Sequence, residues 1–184
     1  VLGNEDVRIQ YVVARPPSPL YRNAIGDGSV SLESGAAIVE TVFGPLSAHE
    51  GDYVLMPRAT THRWRPVGDQ PLRAYCIEAN SHITPARRYL SKFGQLLEHA
   101  PFCERDLHGP GEPVVVESGE AEVYVKHRGT GPTGITGTVH VVPHHPFDVV
   151  GWDGCLYPYT FNVADFMPIT GKVHQPPPAH QVFE

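Results

Sequence analysis

Proline and glycine interrupt this chain so often that no long helix fits between them. The 184 residues include 19 prolines and 18 glycines, about a fifth of the chain and above the usual share of these two residues. The apolar runs they separate are short and rich in valine, a pattern that predicts an all-β fold. Strands are expected at 7–13, ended by Arg15-Pro16-Pro17, and at 30–32 and 37–41, a hairpin around Glu33-Ser34-Gly35. Further strands are expected at 43–47, which turns at Gly44-Pro45, and at 53–56, 62–65 and 73–78. Strands this short and regularly spaced predict a jelly roll or small barrel. Residues 114–117, 121–127 and 137–142 read as later strands.

One segment reads differently. Thr84-Pro85 has the form of a helix N-cap followed by proline at the first helical position. The run PARRYLSKFGQLLEH then places Tyr89, Leu90, Phe93, Leu96 and Leu97 near helical spacing, interrupted by Gly94. The expected organisation is therefore a barrel over 1–80, a helical connector over 81–110, and a further β region over 111–184.

Composition narrows the function classes. A net charge of −6, a pI near 6.0 and the lack of a basic stripe argue against a nucleic-acid partner. No apolar run approaches a membrane span, and the opening VLGNEDVRIQ lacks a signal-peptide pattern. Cys76, Cys103 and Cys155 are far apart and form no CxxC, which predicts reduced thiols and a cytoplasmic protein. The loop RGTGPTG (128–134) lacks the Lys-Ser/Thr ending of a phosphate-binding loop. No G-x-S-x-G elbow is present.

The most unusual stretch is 138–162, TVHVVPHHPFDVVGWDGCLYPYTFN. Prolines flank His144-His145 and force extended geometry there. Such a segment suits a rigid wall of imidazoles and rings beside an aromatic substrate, and equally a contact between subunits. A metal site built from His140, His144, His145 and Asp148 is disfavoured, because adjacent residues of an extended strand point to opposite faces.

The run PHHPFDVVGWDGCLYPYTFNVADFMPI resembles the homogentisate 1,2-dioxygenases, iron enzymes of tyrosine and phenylalanine catabolism. The resemblance extends through YRNAIGDGSV, ESGAAIVETVFG, GDYVLMPRATTHRW, CIEANSHITP and YLSKFGQLLEHAPFCERD, and so covers nearly the whole chain. It implies Fe(II)-dependent opening of the homogentisate ring by O2 to give maleylacetoacetate, in subunits that form trimers and hexamers. In that family the iron-ligating His, Glu and His lie downstream of the region matching the end of this chain. No residue here matches them, so the chain is expected to be an internal fragment that binds no iron and is inactive alone. The resemblance aligns His174, in GKVHQPPPAHQVFE, with the residue thought to orient the ring hydroxyl and act as acid-base catalyst; His180 is the alternative. A histidine is suited to accepting a phenolic proton near neutral pH.

Residues 51–62 are similar to the second cupin motif, G-x5-P-x-A-xx-H, with Ala59 where glycine is usual. In metal-binding cupins this histidine joins two histidines and a glutamate from an earlier segment. Here that segment offers Tyr21, Asn23 and, near the glutamate's place, Gly28. His62 alone cannot supply a mononuclear iron site, so the barrel is expected to be metal-free, with His62 hydrogen-bonded inside it or at its mouth. A metal-free cupin-type binding or assembly module, without enzyme activity, is the alternative function.

Overall fold

The computed structural model describes residues 1–130, 133–167 and 181–184. Its strands are β1 (Leu2–Gly3), β2 (Val7–Ala14), β3 (Leu20–Asn23), β4 (Asp27–Ser34), β5 (Ala36–Thr41), β6 (Gly44–Ala48), β7 (Asp52–Met56), β8 (Thr61–Val67), β9 (Leu72–Ala79), β10 (Ala121–Arg128), β11 (Ile135–Val142) and β12 (Tyr159–Asn162). One sheet has the order β1-β2-β9-β4-β7-β12 and the other β11-β10-β3-β8-β5-β6. Within these, 2-9-4-7 facing 3-8-5-6 is the strand order of a jelly roll, as in cupins. The fold is thus mainly β, as the punctuation of the sequence predicts.

Alternation explains which residues face inward. In β6 the burial runs buried, exposed, buried, exposed, buried, the period of a strand with one face in the core. Leu32, Val39, Leu46, Val54, Met56 and Leu72 form the main cluster between the sheets. Leu20, Val123, Val125 and Phe147 form a second cluster. Gly35, in the left-handed region at φ 84°, turns the chain from β4 into β5.

The expected boundary between a first barrel and a later β region does not divide the sheets. β10 pairs with β3, the one parallel pairing among the described strands, and β12 pairs with β7. Later strands therefore extend both sheets of the jelly roll at edges that would otherwise be open. Residues 114–117 are not a strand, although Val114 and Val116 pack on the second cluster.

The helical connector is also corrected. The described residues contain no α-helix; 81–110 holds single 3-10 turns at Arg87–Tyr89 and Glu104–Asp106. Between them the chain reverses: Leu90 bridges Leu96, and the Leu97 amide donates to the Tyr89 carbonyl at 2.8 Å. Gly94 at φ 87° permits the reversal. The Ser91 hydroxyl accepts from the amides of Phe93 and Gln95, competing with helical bonding. Tyr89 is buried while Phe93 is 77% exposed, so the apolar spacing does not mark one helical face. Rings cover Phe161 of β12: it contacts Phe102 of the connector at 4.7 Å and Phe183 of the segment 181–184 at 5.9 Å between centroids. No described helix is long and apolar enough to cross a membrane.

Between β7 and β8, Ala59 adopts φ 67°, the only non-glycine residue with positive φ among those described. Its amide donates to the Asn23 carbonyl at 2.7 Å, fixing the turn before His62. An alanine in the left-handed region is strained by about 1 kcal/mol. Ala59→Gly is therefore expected to stabilise the protein by up to about 1 kcal/mol, less the entropy glycine adds to the unfolded chain. Urea titration of the two proteins measures the difference.

Candidate functional site inside the barrel

A cavity of ≈ 380 Å³ opens between the two sheets at one end of the jelly roll. Its apolar walls include Val12, Val30, Met56, Trp64 and Ile77, and its polar groups include Tyr21, Asn23, His62, Cys76 and Glu78. Strand alternation places them there: Tyr21 and Asn23 are two apart on β3, as are His62 and Trp64 on β8, and Cys76 and Glu78 on β9.

Glu78 organises one side. Its Oε1 accepts from the Tyr21 hydroxyl and from Asn23 Nδ2, both at 3.3 Å, and its Oε2 pairs with Lys126 Nζ. Lys126 arrives from β10, which the parallel pairing sets beside Asn23. Both ends of this ion pair are largely buried, at 15% and 18% side-chain exposure. Burial, reinforced by the Glu78 charge and hydrogen bond, pushes the Tyr21 phenol well above its usual range. Burial, and then Glu78, pushes the Cys76 thiol up to about 11, so it is a protonated thiol rather than a nucleophile near neutral pH.

His62 forms the other side. It is 7% exposed, and its Nδ1 lies 3.0 Å from the Thr60 carbonyl. A carbonyl only accepts, so Nδ1 carries the proton and donates. Burial holds the imidazole below its ordinary value against the opposing effect of that hydrogen bond. His62 is neutral near pH 7, and Nε2 carries a lone pair. The ring meets Tyr21 edge-to-face at 5.5 Å.

The sign of the His62 contribution to stability follows. Above 6.5 the group is neutral whether folded or unfolded; below it the unfolded chain takes the proton first. Stability tied to His62 is therefore present above 6.5 and falls as pH drops toward the lowered folded value. The melting temperature of the native protein should fall more steeply below pH 6.5 than that of His62→Gln. Parallel curves would contradict this.

A second cavity of similar size lies between the connector and the first sheet, with Asp27, His82, Tyr157 and Tyr159 among its lining residues. Asp27 accepts from the amides of Arg58 at 2.8 Å and Ile83 at 3.0 Å, and meets His82 Nδ1 at 3.2 Å. Burial, then Tyr157 and Asp27, raises the Tyr159 phenol. These tyrosines, with Cys155 and Leu156 beside them, are the part of 138–162 that lines this cavity. Phe147 is buried in the second cluster, Phe161 in the connector's aromatic group, and Trp152 packs on Phe43 and Tyr157. The rings do not form one continuous wall.

The histidines of that stretch also separate. His140 and His144 are exposed, while the His145 ring packs on Phe147 at 5.0 Å. Burial, then Arg63, lowers the His145 value, and Glu40 and Asp148 oppose the shift. His174 and His180 lie outside the described residues.

Among the described residues no three His, Cys, Asp or Glu side chains converge as a metal site. At the cupin-like motif His62 is the lone nitrogen donor, and Glu78 is engaged by Tyr21, Asn23 and Lys126. This donor set does not fit a mononuclear iron. The motif was readable in the sequence; Glu78 and Lys126 were not, because they meet only through pairing between distant strands.

No protein-family model matches the chain. It is 38% identical over 164 residues to an inferred dioxygenase of Saccharolobus solfataricus, an alignment covering 89% of this chain and 40% of that protein. It is 27% identical over 151 residues to homogentisate 1,2-dioxygenase of Bradyrhizobium diazoefficiens, covering 81% of this chain and 31% of the relative. By sequence the chain is thus related to dioxygenases, and it spans well under half the length of these relatives. Among solved structures, a cupin-2 domain protein of Shewanella frigidimarina aligns with TM-score 0.37 and 14% identity, over 42% of this chain and 74% of that one.

Proposed function

We propose that this chain is part of a non-haem iron dioxygenase of the extradiol type that opens the ring of homogentisate with O2, giving maleylacetoacetate. The observation that supports this most is the sequence relationship to dioxygenases along nearly the whole chain, with several homogentisate 1,2-dioxygenases among them. Fe(II), when bound, would supply the site at which substrate and O2 are brought together. The described residues do not fit that ion, so no step of the reaction is assigned to them through it. Their part in this reading is scaffolding: a metal-free jelly roll, with the connector cavity and its Tyr157 and Tyr159 as a wall near the substrate. His174 is proposed to orient the ring hydroxyl and carry its proton, and the subunits to assemble as trimers or hexamers.

Substrate choice tests the reading. The full-length protein, loaded anaerobically with Fe(II), should consume O2 with homogentisate and not with gentisate or salicylate. Turnover of either of those in preference to homogentisate would move the assignment to another ring-cleaving dioxygenase. Purified protein without any oxygen-consuming activity on these compounds would favour the binding-module alternative.

A further inference from the structure

We propose that the cavity inside the jelly roll is a binding site for a small neutral ring compound carrying a hydroxyl group. It is separate from the aromatic substrate of the ring-cleaving reaction. The inference starts from His62. Its side chain is more than nine-tenths buried and lines the cavity. With Nδ1–H committed to the Thr60 carbonyl, Nε2 is left as an acceptor with no hydrogen-bond partner among the described residues. A buried acceptor without a partner is costly, and a donor entering the cavity satisfies it.

The rest of the lining specifies the ligand. Val12, Val30, Met56, Trp64 and Ile77 form a predominantly apolar wall, suited to a ring. A volume of ≈ 380 Å³ admits one or two rings and falls within the usual range for small-molecule pockets. The Glu78 carboxylate is on the cavity surface, whereas its partner Lys126 is not among the lining residues. Glu78 is matched by Lys126, and the lining holds no lysine or arginine to compensate a buried anion, so a neutral molecule is preferred. Homogentisate carries a carboxylate and is excluded on that ground. Tyr21 and Asn23 already donate to Glu78, and the Ser18 hydroxyl already donates to the Pro19 carbonyl; His62 Nε2 is the buried acceptor in the lining that a ligand hydroxyl would satisfy.

The test uses phenol, anisole and homogentisate with the purified protein. Nitrogen-15 NMR of the imidazoles should show the His62 Nε2 signal moving saturably with phenol. Homogentisate should fail to displace the phenol. In His62→Phe, which keeps a ring in place without the acceptor, the preference for phenol over anisole should fall about tenfold, the worth of one buried hydrogen bond. Val12→Trp fills the cavity from its rim and leaves His62 intact; it should abolish phenol binding and carries the test if His62→Phe does not fold. No saturable shift at His62, an unchanged preference in His62→Phe, or phenol binding retained in Val12→Trp would each overturn the proposal. Displacement of phenol by homogentisate would overturn the separation from the substrate. None of these readouts depends on ring-cleaving activity, so failure here is distinguishable from failure of the dioxygenase reading.

Discussion

Gly26→Ala is expected to cost the fold about 3 kcal/mol or more. Gly26 is buried where β4 begins beside the end of β9, and a Cβ there would lie 1.7 Å from the Ala79 carbonyl oxygen and 2.9 Å from Asn80 Cα. Both obstacles are backbone, so no side-chain rotation relieves them; the strands themselves must part. The damage would spread in two directions. Asp27, the next residue, holds the amides of Arg58 and Ile83. Glu78, just before Ala79, holds Tyr21, Asn23 and Lys126. Chemical denaturation should show a lowered midpoint, and hydrogen exchange should show early opening at β9. Gly68→Ala serves as a comparison: φ is 80° there, but no atom lies within 4 Å, so backbone strain acts without a clash and the loss should be smaller, near 1 kcal/mol.

The second large effect concerns activity. In the proposed reaction a phenolic proton must leave the ring hydroxyl and later be returned, and His174 is the residue proposed to carry it. His174→Gln should lower kcat by about a hundredfold to ten-thousandfold, the usual worth of a positioned general acid-base group. KM should change much less, and the iron content should remain that of the native protein. The acidic limb of the kcat/KM profile should flatten, because the titrating imidazole is gone. A normal kcat in His174→Gln with a large loss in His180→Gln would transfer the role to His180. Loss of iron in His174→Gln would show a structural or ligating role instead.

Much of the barrel was legible because strand alternation and turn residues act locally. The hairpin through Gly35, the strand ending at Met56 and the strand at β10 all follow from short-range rules, and they appear in the structure. Three strands, β1, β3 and β12, have no local signature, and the last two show why. β3 is four residues long and mostly half-buried, with little pattern of its own; it exists because β8 and β10 flank it. β12 is an equally short run drawn onto the edge of β7. The connector was misread because five apolar residues at near-helical spacing outweighed Gly94 and Ser91. In the structure those two residues close a reversal, and only some of the apolar side chains are covered.

The site divides similarly. His62 could be found from its motif, and the lack of companion metal ligands at Tyr21, Asn23 and Gly28 could be read beside it. The charged pair beside His62 could not be read. The Glu78–Lys126 pair depends on a parallel strand pairing that no local pattern announces. The unpartnered Nε2 of His62 depends on which ring nitrogen the Thr60 carbonyl engages. The dispersal of the 138–162 rings was equally hidden, since it reflects three different packing partners rather than one extended wall.

In the reaction proposed for the whole protein, both atoms of O2 enter homogentisate. The most direct measurement is the stoichiometry of a single reaction on the Fe(II)-loaded full-length protein, followed by oxygen electrode and mass spectrometry of the product. One O2 should be consumed per homogentisate, with a ring-opened product heavier than the substrate by two oxygen atoms. A product heavier by one oxygen atom, or oxygen uptake that leaves homogentisate unchanged, would contradict it.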